Sequence, residues 1–230
     1  KKDITNKEEL PGATLEILDK DNKVVDSWTS TKEAHLVKLP HGKYTLVERK
    51  PADGYTTAES ISFEVLERNT EGDIEVQHVE MQDDITKVEI SKQDVTTEKE
   101  LPGAKLQIKD SKGKVVEEWT STDKPHYIEK LAIGKYTLTE ITAPDGYDVA
   151  ENVDFEVLDT GDIQHVIMYD SPTPVPGTDV PGTGDINPVI PIAGVILVGA
   201  LAGIGIYFVR KKNKKSNKMI VRRRDGKAIN

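Results

Sequence analysis

Residues 9–39 read ELPGATLEILDKDNKVVDSWTSTKEAHLVKL, and this stretch decides the fold. ATLEIL and KVVDSW are short alternating runs, and DKDN separates them. Successive side chains on a strand point to opposite faces, so such runs describe strands with one buried face. Asp and Asn cluster where the chain turns tightly. The stretch returns at 100–131 as ELPGAKLQIKDSKGKVVEEWTSTDKPHYIEKL, and Leu10, Trp28 and His35 map onto Leu101, Trp119 and His126 with a constant shift of 91. After a one-residue insertion, YTLVERKPADGY (44–55) maps onto YTLTEITAPDGY (136–147). GDIEVQHVEMQDD (72–84) maps onto the shorter GDIQHVIMYDS (161–171). A unit of roughly 85–90 residues exceeds a solenoid repeat and can bury a core of its own. No stretch within the units keeps a 3.6-residue apolar period. The pattern predicts an all-β protein of two tandem antiparallel sandwiches, over residues 1–83 and 84–171.

Composition sets the surroundings. The chain has 230 residues, 31 basic and 40 acidic. Ten of the basic residues lie in the tail 210–230, with Asp225 its only acid, which leaves a net charge of −18 on residues 1–209. An acidic body argues against nucleic acid as a partner. With no cysteine, disulfides, thiolate metal sites and a cysteine nucleophile are all excluded. Residues 172–187 are rich in Pro, Gly and Thr and read as an extended spacer. The segment 188–209 follows, and VIPIAGVILVGALAGIGIYFV at 189–209 carries no charge over 21 residues. As a helix it spans roughly 31 Å, enough to cross a bilayer. RKKNKK follows at 210–215 and places the tail inside and the acidic body outside. The opening KKDITNKEEL has no initiator Met and no secretory signal, so the chain reads as the C-terminal part of a longer protein with the first strand of its first domain truncated.

Three strands of the second domain set an ionisable residue in line with apolar ones. In KVEISK (87–92), Val88 and Ile90 share a face with Lys92. In KYTLTE (135–140), Tyr136 and Leu138 share one with Glu140. In HVIMYD (165–170), Val166 and Met168 share one with Asp170. An unpaired charge on a core face is costly, so one amine and two carboxyls invite one another. A strand end emerging into water explains any one of them alone, but not three complementary groups together. The first domain repeats the arrangement with Tyr44, Leu46 and Glu48, and with Val79, Met81 and Asp83. Lys1 stands nine residues before Leu10, as Lys92 stands nine before Leu101. Asp84 neighbours Asp83, but alternation turns it to the opposite face.

The series SKQD…KELPGA…YTLTEITAPDGY…HVIMYD resembles the collagen-adhesin B-type, or prealbumin-like, domains of Gram-positive surface proteins and pilins. The resemblance covers both units. It implies an intramolecular isopeptide bond between a strand lysine and a last-strand Asn or Asp, assisted by the glutamate. In the second unit it implies Lys92 joined to Asp170 with Glu140 as catalyst, and in the first Lys1 joined to Asp83 with Glu48. Both units carry Asp where many members have Asn, so water rather than ammonia leaves. The first unit also reads Pro-Ala-Asp (51–53) where the second reads Ala-Pro-Asp (143–145). Such a domain acts once on itself and is not an enzyme.

VPGTG at 180–184, the apolar span and the basic tail resemble the wall-sorting signal of Gram-positive surface proteins. Val180 stands where the usual Leu-Pro-x-Thr-Gly has Leu, followed by Pro181, Gly182, Thr183 and Gly184. The resemblance implies a sortase that cuts between Thr183 and Gly184 and passes the Thr183 carboxyl to peptidoglycan or to a pilin subunit. The membrane is then a transient partner, and a host matrix ligand belongs to the part of the protein before Lys1. The four matched histidines, His35, His126, His78 and His165, lack metal-ligand spacing within a unit, and no cofactor is expected. Trp28 and Trp119 read as core or edge packing. The expected function is the stalk of a wall-anchored adhesin or pilus subunit at the surface of a Gram-positive cell. The alternative is a single-pass membrane receptor. A glycosidase carboxylate pair does not explain the lysine on the matching face.

Overall fold

The computed structural model describes residues 1–66 and 76–174, and those residues form thirteen strands and no helix. The sorting motif at 180–184, the span at 188–209 and the tail at 210–230 lie outside the described residues. Two compact units result, built mainly from Lys1–Thr86 and from Lys87–Leu158 with the chain from Asp162.

In the first unit, β1 (Lys2–Asp3), β2 (Thr14–Leu18), β3 (Val24–Thr29), β4 (Gly42–Lys50), β5 (Ile61–Val65) and β6 (Gln82–Asp83) follow one another. The second has β7 (Lys87–Asp94), β8 (Lys105–Asp110), β9 (Val115–Thr120), β10 (His126–Glu129), β11 (Gly134–Thr142), β12 (Val153–Val157) and β13 (Ile163–Asp170). One sheet of the second unit has the order β12-β11-β8-β9, and the other β10-β7-β13. The first unit repeats the four-stranded sheet as β3-β2-β4-β5 and has the short pair β1–β6 opposite.

The first hairpin forms for local reasons. Asp19 Oδ1 accepts the N–H groups of Asp21 and Lys23 at 2.9 and 3.0 Å, and Asp110 does the same for Lys112 and Lys114, both at 2.9 Å. The turn needs a left-handed residue, supplied by Asn22 (φ 60°) and Gly113 (φ 78°). A register shift at Ile17/Leu18 and at Ile108/Lys109 marks the bulge that accompanies such turns. The PGA segment before β2 or β8 is pinned by a serine: Ser30 Oγ accepts the Ala13 N–H at 2.9 Å, and Ser121 Oγ the Ala104 N–H at 2.8 Å.

The core of the second unit joins the inward faces of both sheets: Val88 and Ile90 (β7), Leu106 and Ile108 (β8), Leu138 (β11), Phe155 and Val157 (β12), Val166 and Met168 (β13). Burying each such side chain contributes about 1.5–3 kcal/mol. Trp119 packs against it from the edge strand β9, as Trp28 does from β3 in the first unit. That first core consists of Leu15, Ile17, Tyr44, Leu46, Ile61 and Met81. Its Val37 and Val79 are only partly buried, whereas their counterparts Ile128 and Val166 are buried.

One pairing departs from the antiparallel rule in each unit. The first and last strands, β7 and β13, run parallel, as do β1 and β6. Alternation reports which face a side chain takes and is silent on strand direction, so only the folded chain shows this.

Candidate functional site

The parallel pairing positions the lysine and aspartate side chains. Register sets Lys92 opposite Met168 and Asp94 opposite Asp170. Lys92 and Asp170 are therefore diagonal neighbours on one face at the shared ends of two strands. Glu140 reaches them from β11 in the facing sheet. The Lys92 Nζ lies 3.1 Å from Glu140 Oε1 and donates to Asp170 Oδ1. All three side chains are withdrawn from water, with exposures of 1% for lysine and 0% for both carboxylates. In the first unit Lys1 Nζ lies 2.7 Å from Glu48 Oε1 and donates to Asp83 Oδ1, again with both carboxylate side chains fully buried. The structure thus groups the five residues that alternation singled out, and Lys1, matched by its spacing from Leu10, into two triplets, one in each unit.

Each glutamate is aimed. Glu140 Oε2 accepts the Ala150 N–H at 2.6 Å, and Glu48 Oε2 accepts the Ala58 N–H at 2.7 Å, which leaves Oε1 of each for the amine. Burial pushes the Asp170 carboxyl up to about 6 and the Asp83 carboxyl to about 7, against the pull of the lysine and with a further push from the glutamate. Among the described residues, Asp170 Oδ2 and Asp83 Oδ2 are buried without a donor. The acceptor carbon thus carries one oxygen on the amine and one in a dry pocket, an arrangement suited to a protonated carboxyl. Asp84 stays out of the site, with Oδ1 accepting the Ile85 N–H at 2.8 Å.

Sequence reasoning missed the residues around the triplet. Glu100 Oε2 accepts the backbone N–H of Lys92 at 3.2 Å, and in the first unit Glu9 Oε2 sits 3.3 Å from the Lys1 amino nitrogen. Asp94 and Asp3 are buried two residues after each lysine and accept the hydroxyls of Tyr147 and Tyr55. Their recurrence at matched positions in both repeats was the available signal.

The histidines have other partners. His35 stacks on Trp28 with centroids 4.1 Å apart and shares a hydrogen bond with Asp26; His126 stacks on Trp119 at 4.3 Å and pairs with Glu117. No group of residues suited to a metal occurs among the described residues.

The family model for SpaA, the prealbumin-like fold domain, matches residues 1–80 and again residues 86–172. The chain belongs to the SpaA prealbumin-like domain family. Its two SpaA-type domains are similar to several solved structures. The Bacillus anthracis TIE protein is 29% identical over 73% of this chain and 32% of that one, with a TM-score of 0.44. The shaft pilin SpaA of Lactobacillus rhamnosus GG is 19% identical over 74% and 88%, with a TM-score of 0.36. A streptococcal ancillary pilin is 18% identical over 76% and 61%, with a TM-score of 0.34. The chain spans about a third of the Bacillus anthracis chain it matches. No curated protein matches the sequence.

Proposed function

We propose that each SpaA-type domain of this chain closes an isopeptide bond between its first and last strands, and that the chain is the stalk of a pilus subunit or adhesin on a Gram-positive surface. The observation that carries the reading is the buried Lys–Asp–Glu triplet, built twice. Three buried ionisable groups with incomplete hydrogen bonding are expensive to keep, and covalent closure removes two of the charges.

The reaction proceeds from the neutral pair. Lys92 Nζ, as a free amine, attacks Cγ of protonated Asp170. The C–N bond forms, Glu140 takes a proton from nitrogen and returns it to the departing oxygen, and the C–O bond breaks to release water. Glu140 ends in its starting state. Lys1, Asp83 and Glu48 follow the same steps. Burial favours the protonated carboxyl and disfavours the charged amine. Holding the reacting atoms in contact supplies an effective molarity of about 10⁵ M or more.

The bond ties strand ends 78 residues apart in the second unit and 82 in the first. Tension applied to the strand ends would load a covalent bond rather than a hydrogen-bond ladder. In a chain with no cysteine this serves as a staple that reductants cannot open. The sorting signal at 180–184 supports covalent attachment through Thr183, by a sortase, to peptidoglycan or to a pilin subunit. Release of the chain by muralytic enzymes, lost on Thr183→Ala, tests the anchor; release by detergent alone favours the membrane receptor.

The deciding measurement is the intact mass of the full chain with tryptic mapping. The expected result is one water lost per domain, with Lys92 and Asp170 in one branched peptide and Lys1 and Asp83 in another. Glu140→Gln abolishes the loss in the second domain and leaves the first unchanged. Folded protein of unmodified mass would overturn the reading.

A further inference from the structure

Lys92 and Asp170 lie at the frayable ends of β7 and β13, and a lysine stem has four rotatable carbons. Something must hold those ends together while the amine waits for the carboxyl. We infer that Asp94 with Tyr147, and Asp3 with Tyr55, are positioning residues for isopeptide closure, clamping the lysine strand to the loop that follows the glutamate strand. The inference rests on the crosslinking reading above.

Asp94 is the register partner of Asp170 and is buried beside it. Its oxygens are fully used away from the reacting atoms. Oδ1 accepts the N–H groups of Thr96 and Thr97 at 2.7 and 2.8 Å, and Oδ2 accepts the Tyr147 hydroxyl at 2.6 Å. The chain beyond Asp94 is thereby folded into a turn, in which the Glu98 N–H reaches the Asp94 carbonyl at 2.8 Å. The next residue, Val95, donates its N–H to the carbonyl of Asp170 at 2.9 Å. The lysine strand is therefore locked to the acceptor residue just past the reacting pair.

Tyr147 brings in the third element. It closes the PDGY turn, with its N–H on the Pro144 carbonyl at 3.1 Å, seven residues after Glu140. The same loop grips the chain after the acceptor, since the Asp148 N–H bonds Ser171 O at 3.1 Å and the Thr173 N–H bonds Gly146 O at 2.8 Å. One loop thus holds the lysine strand by a side chain and the aspartate strand by its backbone. The Tyr147 hydroxyl holds the Asp94 carboxyl below its usual range, with help from the Thr97 N–H, so this acceptor stays ionised beside a neighbour that must be protonated.

The first unit has the corresponding contacts, with the Thr5 hydroxyl on Asp3 Oδ1 where the second has the Thr97 N–H. Asp3 Oδ1 accepts the Thr5 N–H at 2.7 Å, Oδ2 accepts the Tyr55 hydroxyl at 2.7 Å, and the Ile4 N–H reaches the Asp83 carbonyl at 2.9 Å. Thr56 N–H bonds Asp84 O at 2.9 Å and Thr86 N–H bonds Gly54 O at 3.1 Å.

The test uses the full chain, made in a cell-free pulse and quenched in acid at intervals, with branched tryptic peptides of each unit quantified. Loss of the hydroxyl in Tyr147→Phe slows closure of the second unit by roughly ten- to a hundredfold, as a misplacement near one ångström does, while the first unit keeps the wild-type rate. Tyr55→Phe gives the mirror result. Asp94→Asn, which keeps an acceptor for Thr96 and Thr97, closes faster than Asp94→Ala. Amide exchange reports the folded population in parallel. A slowdown in fully folded protein supports positioning; a slowdown that tracks lost folded population overturns it. Wild-type rates in both tyrosine variants overturn the clamp alone, whereas a wild-type chain that never loses water sinks the crosslink itself.

Discussion

At the scale of single residues, burial raises both aspartate carboxyls, Asp170 to about 6 and Asp83 to about 7, which favours the protonated form that the proposed closure needs. Stability follows the same sign. In Glu140→Gln, which keeps Lys92 and Asp170 without a bond, burial still raises the Asp170 carboxyl above the ordinary aspartate value of 3.8. The folded state then binds the extra proton, so that unit is stabilised at acid pH and loses that contribution as pH climbs from about 4 to about 6. The opposite slope, measured by denaturant titration, would reject a raised carboxyl. A second residue-scale case is Ser121, whose Oγ accepts from Ala104 N–H and donates to Leu101 O at 2.6 Å. Ser121→Ala should orphan both and cost about 1–3 kcal/mol, read as a lower denaturant midpoint in the uncrosslinked background.

At the scale of elements, the strands and their turns were largely readable. Alternation located ATLEIL and KVVDSW, and strands lie at both, Thr14–Leu18 and Val24–Thr29. It also picked Lys92, Glu140 and Asp170, because a side chain in a regular strand has its face set by parity alone. Asp94, Tyr147 and Glu100 were not readable, since each acts from a strand end or loop whose direction is set by distant contacts. The hairpin after β8 makes a testable case. Gly113 holds φ 78° with nothing near its missing Cβ, so the strain of a branched side chain is purely conformational. Gly113→Val should cost about 1–3 kcal/mol and Gly113→Asn far less, because Asn22 already serves at the matching position. Leu138 is fully buried between the sheets, two residues before Glu140. Leu138→Ala should cost about 2–5 kcal/mol, as a drop in unfolding midpoint, and should slow water loss by wetting the triplet.

For the molecule as a whole, the proposed covalent bond would change which parts can extend under load. Closing a loop of 78 residues is worth about 4–5 kcal/mol against the unfolded state by the loop-entropy account. Pulled from its ends, the wild-type chain should show no extension step from the stretch between Lys92 and Asp170. Glu140→Gln should restore one, and the paired variant with Glu48→Gln should restore two. A wild-type trace with full-length unfolding steps would remove the mechanical role even where the bonds form.

From the sequence alone came the all-β class, the duplication, and the face on which Lys92, Glu140, Asp170, Glu48 and Asp83 lie. Those are consequences of period and repeat, which are local properties of a chain. Only the tertiary structure decided that the first and last strands run parallel and that the amine sits between two carboxyls with a third strand reaching over it. It also decided that a tyrosine at a loop and an aspartate at a strand end close the site from outside. Those depend on which distant segments pack together, and packing is settled by the burial of the whole core rather than by any one run of residues. Lys1 shows the difference best: sequence had only its distance from Leu10, and the fold placed its amine between Glu48 and Asp83.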